Sequence, residues 1–212
     1  MIHAQLILLA DGFTSPGRRE KAVKATQAGV PWVHLRDHRA DADAFSAAAE
    51  DLVARLRKTN PTVRISVNGH LDVAERLGLD YHAGMRGPSP EEARRWLGAD
   101  AVTGFSAHEE AEVVGPLADT VDYFFFSPIF PTSSKPGHPG VGVSELSRIC
   151  DASPVPVYAL GGITPDRVTA CKEAGAHGMA VLSGIMNAED PGAAAKAYLE
   201  KGNGRTGERD RG

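Results

Sequence analysis

Two segments toward the end of the chain join a short apolar run to glycine and a helix start: Ala159-Leu-Gly-Gly-Ile-Thr-Pro-Asp166 and Ala180-Val-Leu-Ser-Gly-Ile-Met186. Glycine lets an anion approach backbone N–H groups, and a helix start adds partial positive charge. Gly161, Gly162, Leu182, Ser183 and Gly184 therefore form a candidate phosphate cradle. A lone Gly-Gly would serve a tight turn equally well; the second segment of the same kind favours the anion. The loop from Phe130 to Gly142 sets hydroxyls and glycines around one lysine. Thr132, Ser134 and Lys135 in it suit a polar lid over an anion better than a plain surface excursion.

Thr103-Gly-Phe-Ser-Ala-His-Glu109 puts Ser106 and His108 just beyond a candidate strand. Imidazole titrates nearest neutrality, so a rim histidine facing a pocket is a candidate general acid/base. Most of the eight histidines must be structural or exposed, and His3 and His177 have no expected chemical role. A Ser–His–acid hydrolase is disfavoured, because Ser106 is not in G-x-S-x-G and nothing fixes a third partner. His34, His38, His70, His82 and His108 show no H-x-H or H-E-x-x-H spacing and no partnered carboxylates, so no metal site is expected.

Positioning these groups requires the rest of the chain. Candidate strands are Gln5 to Leu9, Trp32 to Arg36, Arg64 to Asn68, Tyr81 to Ala83, Ala101 to Phe105, Tyr123 to Phe126, Val155 to Leu160 and Gly178 to Leu182. Helical stretches alternate with them near 17–28, 41–58, 70–77, 89–97, 108–116, 143–151, 165–174 and 190–200. Eight strand–helix pairs in strict order predict an α/β fold, a single closed (β/α)8 TIM barrel over residues 1–200, rather than an open doubly wound sheet. Gly78, Gly98 and Gly175 stop helices, while Pro90, Pro165 and Pro191 open them. The tail from Lys201 to Gly212 lacks an apolar face and is expected to be disordered. In such a barrel the reacting groups gather at the C-terminal rim, which selects Asp11, Arg36, His38, Asn68, His70, His82, Ser106, His108, Thr132 to Lys135 in the lid, and the two glycine turns at Gly161-Gly162 and Ser183-Gly184.

The 212 residues are 42% hydrophobic and 24% charged, with net charge −4. Without a basic excess, general nucleic-acid binding is not expected. The apolar run from Gln5 to Ala10 is too short for a membrane span and has no basic flank, so a soluble, cytoplasmic protein is expected. Cys150 and Cys171, outside any C-x-x-C pattern, are expected as reduced thiols.

His34-Leu-Arg36, Val67-Asn68, Tyr81-His-Ala-Gly84, Gly104-Phe-Ser-Ala-His108, Pro128-Ile-Phe-Pro-Thr-Ser-Ser-Lys135, Leu160-Gly-Gly-Ile163 and Ala180-Val-Leu-Ser183 occur in this order and spacing. In them the chain resembles the thiamine phosphate synthase/TenI family of (β/α)8 barrels, up to about Leu199. The resemblance implies one of two chemistries. In the synthase, magnesium held by two aspartates binds hydroxymethylpyrimidine diphosphate, whose diphosphate leaves as thiazole phosphate attacks. This chain departs from that pattern: Asn68-Gly69 stands where the synthases have Asn-Asp. Met85-Arg86-Gly87 follows strand four in place of the second aspartate, and His38 replaces a lysine. Magnesium needs hard oxygen ligands, so no cofactor is expected unless the synthase alternative holds.

Val67-Asn-Gly-His-Leu-Asp72, Gly142-Val-Ser-Glu-Leu146, Gly162-Ile-Thr-Pro-Asp-Arg167 and Val181-Leu-Ser-Gly-Ile185 resemble the TenI-type thiazole tautomerase branch more closely. That likeness implies metal-independent isomerisation of carboxythiazole phosphate to its aromatic tautomer. His108 would then be the acid/base and Arg36 the partner of the substrate carboxylate. Thr132, Ser134 and Lys135 would line the thiazole side, with Asn68 and Ser106 also at the substrate and the glycine turns around the phosphate. Thr132-x-Ser134-Lys135 is closer to the synthase loop. The alternatives are therefore a thiamine phosphate synthase or a non-catalytic binder of thiazole or thiamine phosphates. The implied partner is a small phosphorylated thiazole, and a homo-oligomer remains open.

Overall fold

Short runs rich in Val, Ile, Leu and aromatic residues become strands when both of their faces are covered, as in a parallel sheet wrapped by helices. The structure, a computed structural model, describes residues 2–84 and 87–203. Its strands are β1 (Leu6–Asp11), β2 (Trp32–Arg36), β3 (Arg64–Asn68), β4 (Asp80–Ala83), β5 (Thr103–Ala107), β6 (Tyr123–Phe126), β7 (Val157–Leu160) and β8 (Gly178–Val181). They close in that order into an all-parallel barrel, with Ile7 of β1 opposite both Trp32 of β2 and Ala180 of β8.

The helices are α1 (Pro16–Gln27), α2 (Ala42–Thr59), α3 (Leu71–Leu77), α4 (Pro90–Leu97), α5 (Glu110–Val114), α6 (Gly142–Ala152), α7 (Val168–Glu173), α8 (Ser183–Met186) and α9 (Pro191–Asn203). Their ends follow local chemistry. The Asp41 side chain accepts from the Ala44 N–H to start α2, and Ser89 and Glu92 form a capping box on α4. Among the described residues, no helix is long and apolar enough to cross a membrane.

Apolar side chains separate into two layers. Outward-facing strand residues pack with the helices, whereas Ile7, Leu9, Trp32, Tyr123, Phe125, Tyr158 and Ala180 fill the barrel. The interior rings meet edge to face, Trp32 and Tyr123 with centroids 5.0 Å apart. Gly104 of β5 makes room for them, since a Cβ there would lie 2.1 Å from the Tyr123 ring. Gly104→Ala is therefore expected to destabilise the barrel by about 1–3 kcal/mol through overpacking. Urea denaturation checks this, and an unchanged midpoint would mean that Tyr123 can turn aside.

Several boundaries differ from expectation. β5 begins at Thr103 rather than Ala101, because the Val102 and Thr103 N–H groups donate to the carboxylates of Asp80 and Asp122 instead of to a ladder carbonyl. The helix start expected at Ser183-Gly184 is the four-residue α8, directly after β8. α9 runs on to Asn203, past the expected barrel end at residue 200. The rest of the tail, 204–212, lies outside the described residues. Both cysteines are free, and burial pushes Cys150 up to about 12 and Cys171 to about 11.

Candidate active site

One pocket opens at the C-terminal mouth. Its wall includes Arg36, Thr132, Ser134, Lys135, Gly161, Gly162, Leu182, Ser183 and Gly184, nine of the twelve residues expected at a site. Leu9, Leu160, Ile163 and Ala180 supply an apolar floor, and Ser127 and Pro128 complete the wall between β6 and the lid. Sequence reasoning missed Ser127 and Pro128. Their position at the end of β6 was the available signal, by the same rim rule that selected the others.

The cradle is fixed by packing as well as by conformation. Gly161 and Gly162 have φ +98° and +65°, where side chains are strained. A Cβ on Gly161 would stand 2.8 Å from Pro128 Cα, and one on Gly162 would stand 2.4 Å from the Pro131 carbonyl oxygen. The β7 turn therefore lies directly on the backbone of the β6 loop. The Ile129 and Phe130 N–H groups donate to the Leu160 and Gly161 carbonyls at 3.0 and 3.1 Å. Arg167 donates to the Gly162 carbonyl at 2.6 Å while its guanidinium lies 4.5 Å from the Phe130 ring centroid. The base of the lid is pinned by the Val141 and Gly142 N–H groups on Pro128 and Ile129 carbonyls, while Ser134 and Lys135 at its tip are exposed.

Arg36 ends β2 beside Asp11, with Nε 3.2 Å from its carboxylate but off the line of a hydrogen bond. Arg36 and Lys135 give the wall two cations, and among the described residues no carboxylate lines it. The electrostatic character of this wall is positive.

The other three expected residues stand outside this wall. Asn68, at the end of β3, packs its amide under Gly84. Ser106 lies within β5 rather than beyond it, and its hydroxyl meets His82 Nε2 at 2.9 Å. His82 Nδ1 in turn meets the Tyr123 hydroxyl at 3.0 Å. Burial, with the Arg36 charge adding to it, pushes His82 down to about 3. So weak a base does not take a proton from serine, and the Ser106–His82 pair orients rather than activates. A second buried set joins Trp32 Nε1–H and His34 Nδ1 to the Ser66 hydroxyl, each at 2.9 Å. Burial likewise holds His34 well below its ordinary value.

His108 is exposed at the rim. Its Nδ1 donates to the Ser127 carbonyl at 2.9 Å, so in the neutral ring Nε2 is the basic atom. The ring is thus anchored to a residue of the pocket wall without lining the pocket itself.

The donor set does not fit magnesium. Gly69 brings no side chain where the resemblance would put a carboxylate, while Asp11 is paired with Arg36 and Asp37 accepts from Thr14 and the Arg39 N–H. Among the described residues no group of three or more His, Cys, Asp or Glu side chains could hold a metal ion. Met85 and Arg86 lie outside the described residues.

A family model described as thiamine monophosphate synthase matches residues 14–185. The thiamine-phosphate synthase of Methanoregula boonei is 35% identical over 200 residues, covering 92% of each chain. A thiamine biosynthesis bifunctional protein ThiM/ThiE of Symbiobacterium thermophilum is 34% identical over 199 residues, and those residues span 92% of this chain but 40% of that protein. The solved thiamine phosphate pyrophosphorylase of Pyrococcus furiosus shares the fold at TM-score 0.82 and 21% identity, over 94% of this chain and 96% of that one. With a family model spanning most of the barrel and curated relatives above 30% identity along nearly the whole chain, this protein belongs to the thiamine monophosphate synthase family.

Proposed function

We propose that the mouth pocket takes a phosphorylated thiazole and that the chain serves thiamine biosynthesis as a transferase of the thiamine-phosphate synthase kind. The observation that carries the anion is the wall itself: two cations, the hydroxyls of Thr132, Ser134 and Ser183, glycine turns and, among the described residues, no carboxylate. The names of the relatives favour the transferase over the tautomerase expected from the sequence. In the coupling, thiazole phosphate attacks the pyrimidine and pyrophosphate leaves with the electron pair of the broken C–O bond. Arg36 and Lys135 are the cations positioned to stabilise that leaving charge. The side chains at the mouth do not fit magnesium, so charge on the leaving group falls to Arg36 and Lys135.

Gly69 favours a second reading, the metal-independent tautomerase, since moving a proton needs no diphosphate site. There His108 Nε2 would be the base, contributing roughly 10²- to 10⁴-fold.

One experiment separates the two. Purified protein, with and without added magnesium, is given hydroxymethylpyrimidine diphosphate plus thiazole phosphate, and in parallel the carboxythiazole phosphate tautomer. Pyrophosphate release that falls in Lys135→Ala is the expected outcome. Isomerisation without pyrophosphate, lost in His108→Asn, would replace the transferase with the tautomerase. Neither product would leave a binding protein.

A further inference from the structure

The last helix makes a contact that the proposed chemistry does not use. Tyr198 of α9 is buried, and its hydroxyl donates to the Ile163 carbonyl oxygen at 2.9 Å. The same hydroxyl oxygen stands only 2.0 Å from where a Cβ on Gly184 would be. Ile163 follows the Gly161-Gly162 turn, Gly184 lies in α8, and both line the mouth pocket. A single phenol hydroxyl therefore touches both halves of the cradle from behind. Gly184 does not have the positive φ of Gly161 and Gly162, so backbone conformation does not require glycine there; the phenol oxygen does. From the opposite side, Lys21 of α1 holds the end of α8 by donating to the Met186 and Ala188 carbonyls at 3.1 and 2.8 Å.

We propose that Tyr198 is a positioning residue that sets the spacing between the β7 turn and α8, and through it the affinity of the pocket for phosphate. This role rests on the anion reading of the pocket given above. It acts through backbone: the hydroxyl fixes the Ile163 carbonyl on one side and limits how close α8 can come on the other. A cradle of N–H groups binds tightly only while its two walls keep their separation, because misplaced donors lose hydrogen-bond geometry steeply.

Calorimetric titration with inorganic phosphate tests it in the wild type, Tyr198→Phe, Gly184→Ala and the double variant, with thermal melting alongside. Tyr198→Phe keeps the ring and removes the oxygen, and is expected to weaken phosphate binding roughly fivefold to tenfold. Gly184→Ala puts a methyl against that oxygen and is expected to weaken it further, roughly a hundredfold. In the double variant the methyl meets ring carbon Cζ at 3.0 Å instead of oxygen at 2.0 Å, so binding is expected to recover part of the Gly184→Ala loss. Additive losses, or a lowered melting temperature with unchanged phosphate affinity, would assign Tyr198 to packing alone and overturn the role. A wild type that takes up no phosphate would overturn the anion reading and this role with it. Binding by the wild type that Tyr198→Phe leaves intact would overturn only the role.

Discussion

Gly162→Ala is expected to lower the affinity of the mouth pocket for phosphate by about a hundredfold or more, the sum of backbone strain and overpacking. The residue has φ +65°, and its new methyl would lie 2.4 Å from the Pro131 carbonyl oxygen and 2.8 Å from Phe130 Cβ. Neither neighbour is free to give way. Phe130 is bonded through its N–H to Gly161 and lies beneath the Arg167 guanidinium, and Pro131 begins the lid that carries Lys135. The β7 turn and the lid must therefore part, taking the backbone donors away from the cation meant to act with them. Gly137→Ala is the control: Gly137, in the lid rather than the β7 turn, also has a positive φ, +83°, but a Cβ there meets nothing within 4 Å. Titration with inorganic phosphate should find Gly137→Ala within a few-fold of wild type. Equal losses in both would mean that strain alone, rather than contact between the loops, governs the site.

Acid is expected to unfold this protein before most of its carboxylates titrate. His34 and His82 sit inside the barrel with their pKa values depressed by burial, His82 to about 3. In the unfolded chain both return to about 6.5. Below the unfolded value the unfolded state binds protons that the folded state refuses, so stability falls as pH drops below about 6.5, by about 1.4 kcal/mol per pH unit for His82. From pH 6.5 to 5 His82 alone removes roughly 2 kcal/mol, a sizeable part of the stability of an ordinary domain, and His34 acts in the same direction. Half-buried His70 and His177, also lowered by burial, act in the same direction. Urea midpoints at pH 7.5 and 5 measure the loss. His82→Gln, which keeps an amide to bond with but does not titrate, should reduce the slope by one histidine's share. A midpoint flat across this range would mean that both rings are charged in the fold.

The barrel was legible because its signals are local: apolar runs of four to six residues, helix stops at Gly78 and Gly175, and proline at helix starts. That Arg36, Lys135 and the two glycine turns line one mouth pocket was legible for the same reason, since they follow strand ends whatever the side-chain packing. Ser106 was misplaced because strand ends are poorly marked in a short apolar run: β5 begins and ends two residues later than expected, which takes Ser106 from beyond the strand into it. His108 was read correctly as a rim residue, but its tether to the Ser127 carbonyl depends on a loop 19 positions away. The four residues of α8 are too few to show a helical period. Nor could spacing reveal that Gly184 is small because Tyr198, one turn from the end of α9, occupies its side-chain volume.

The pairing of β1 with β8 gives the barrel a calendar. During synthesis β1 emerges first and pairs with β2, yet its other edge has no partner until Gly178–Val181 leaves the ribosome. Nearly the whole barrel must be made before the ring can shut, and loop closure over that length is slow compared with the neighbouring strand pairings. The Ser183-Gly184 side of the mouth pocket follows β8 immediately, so the pocket is not complete before the ring can shut. A ligand held there binds only the closed ring, and mass action then draws the open-edged chain toward closure.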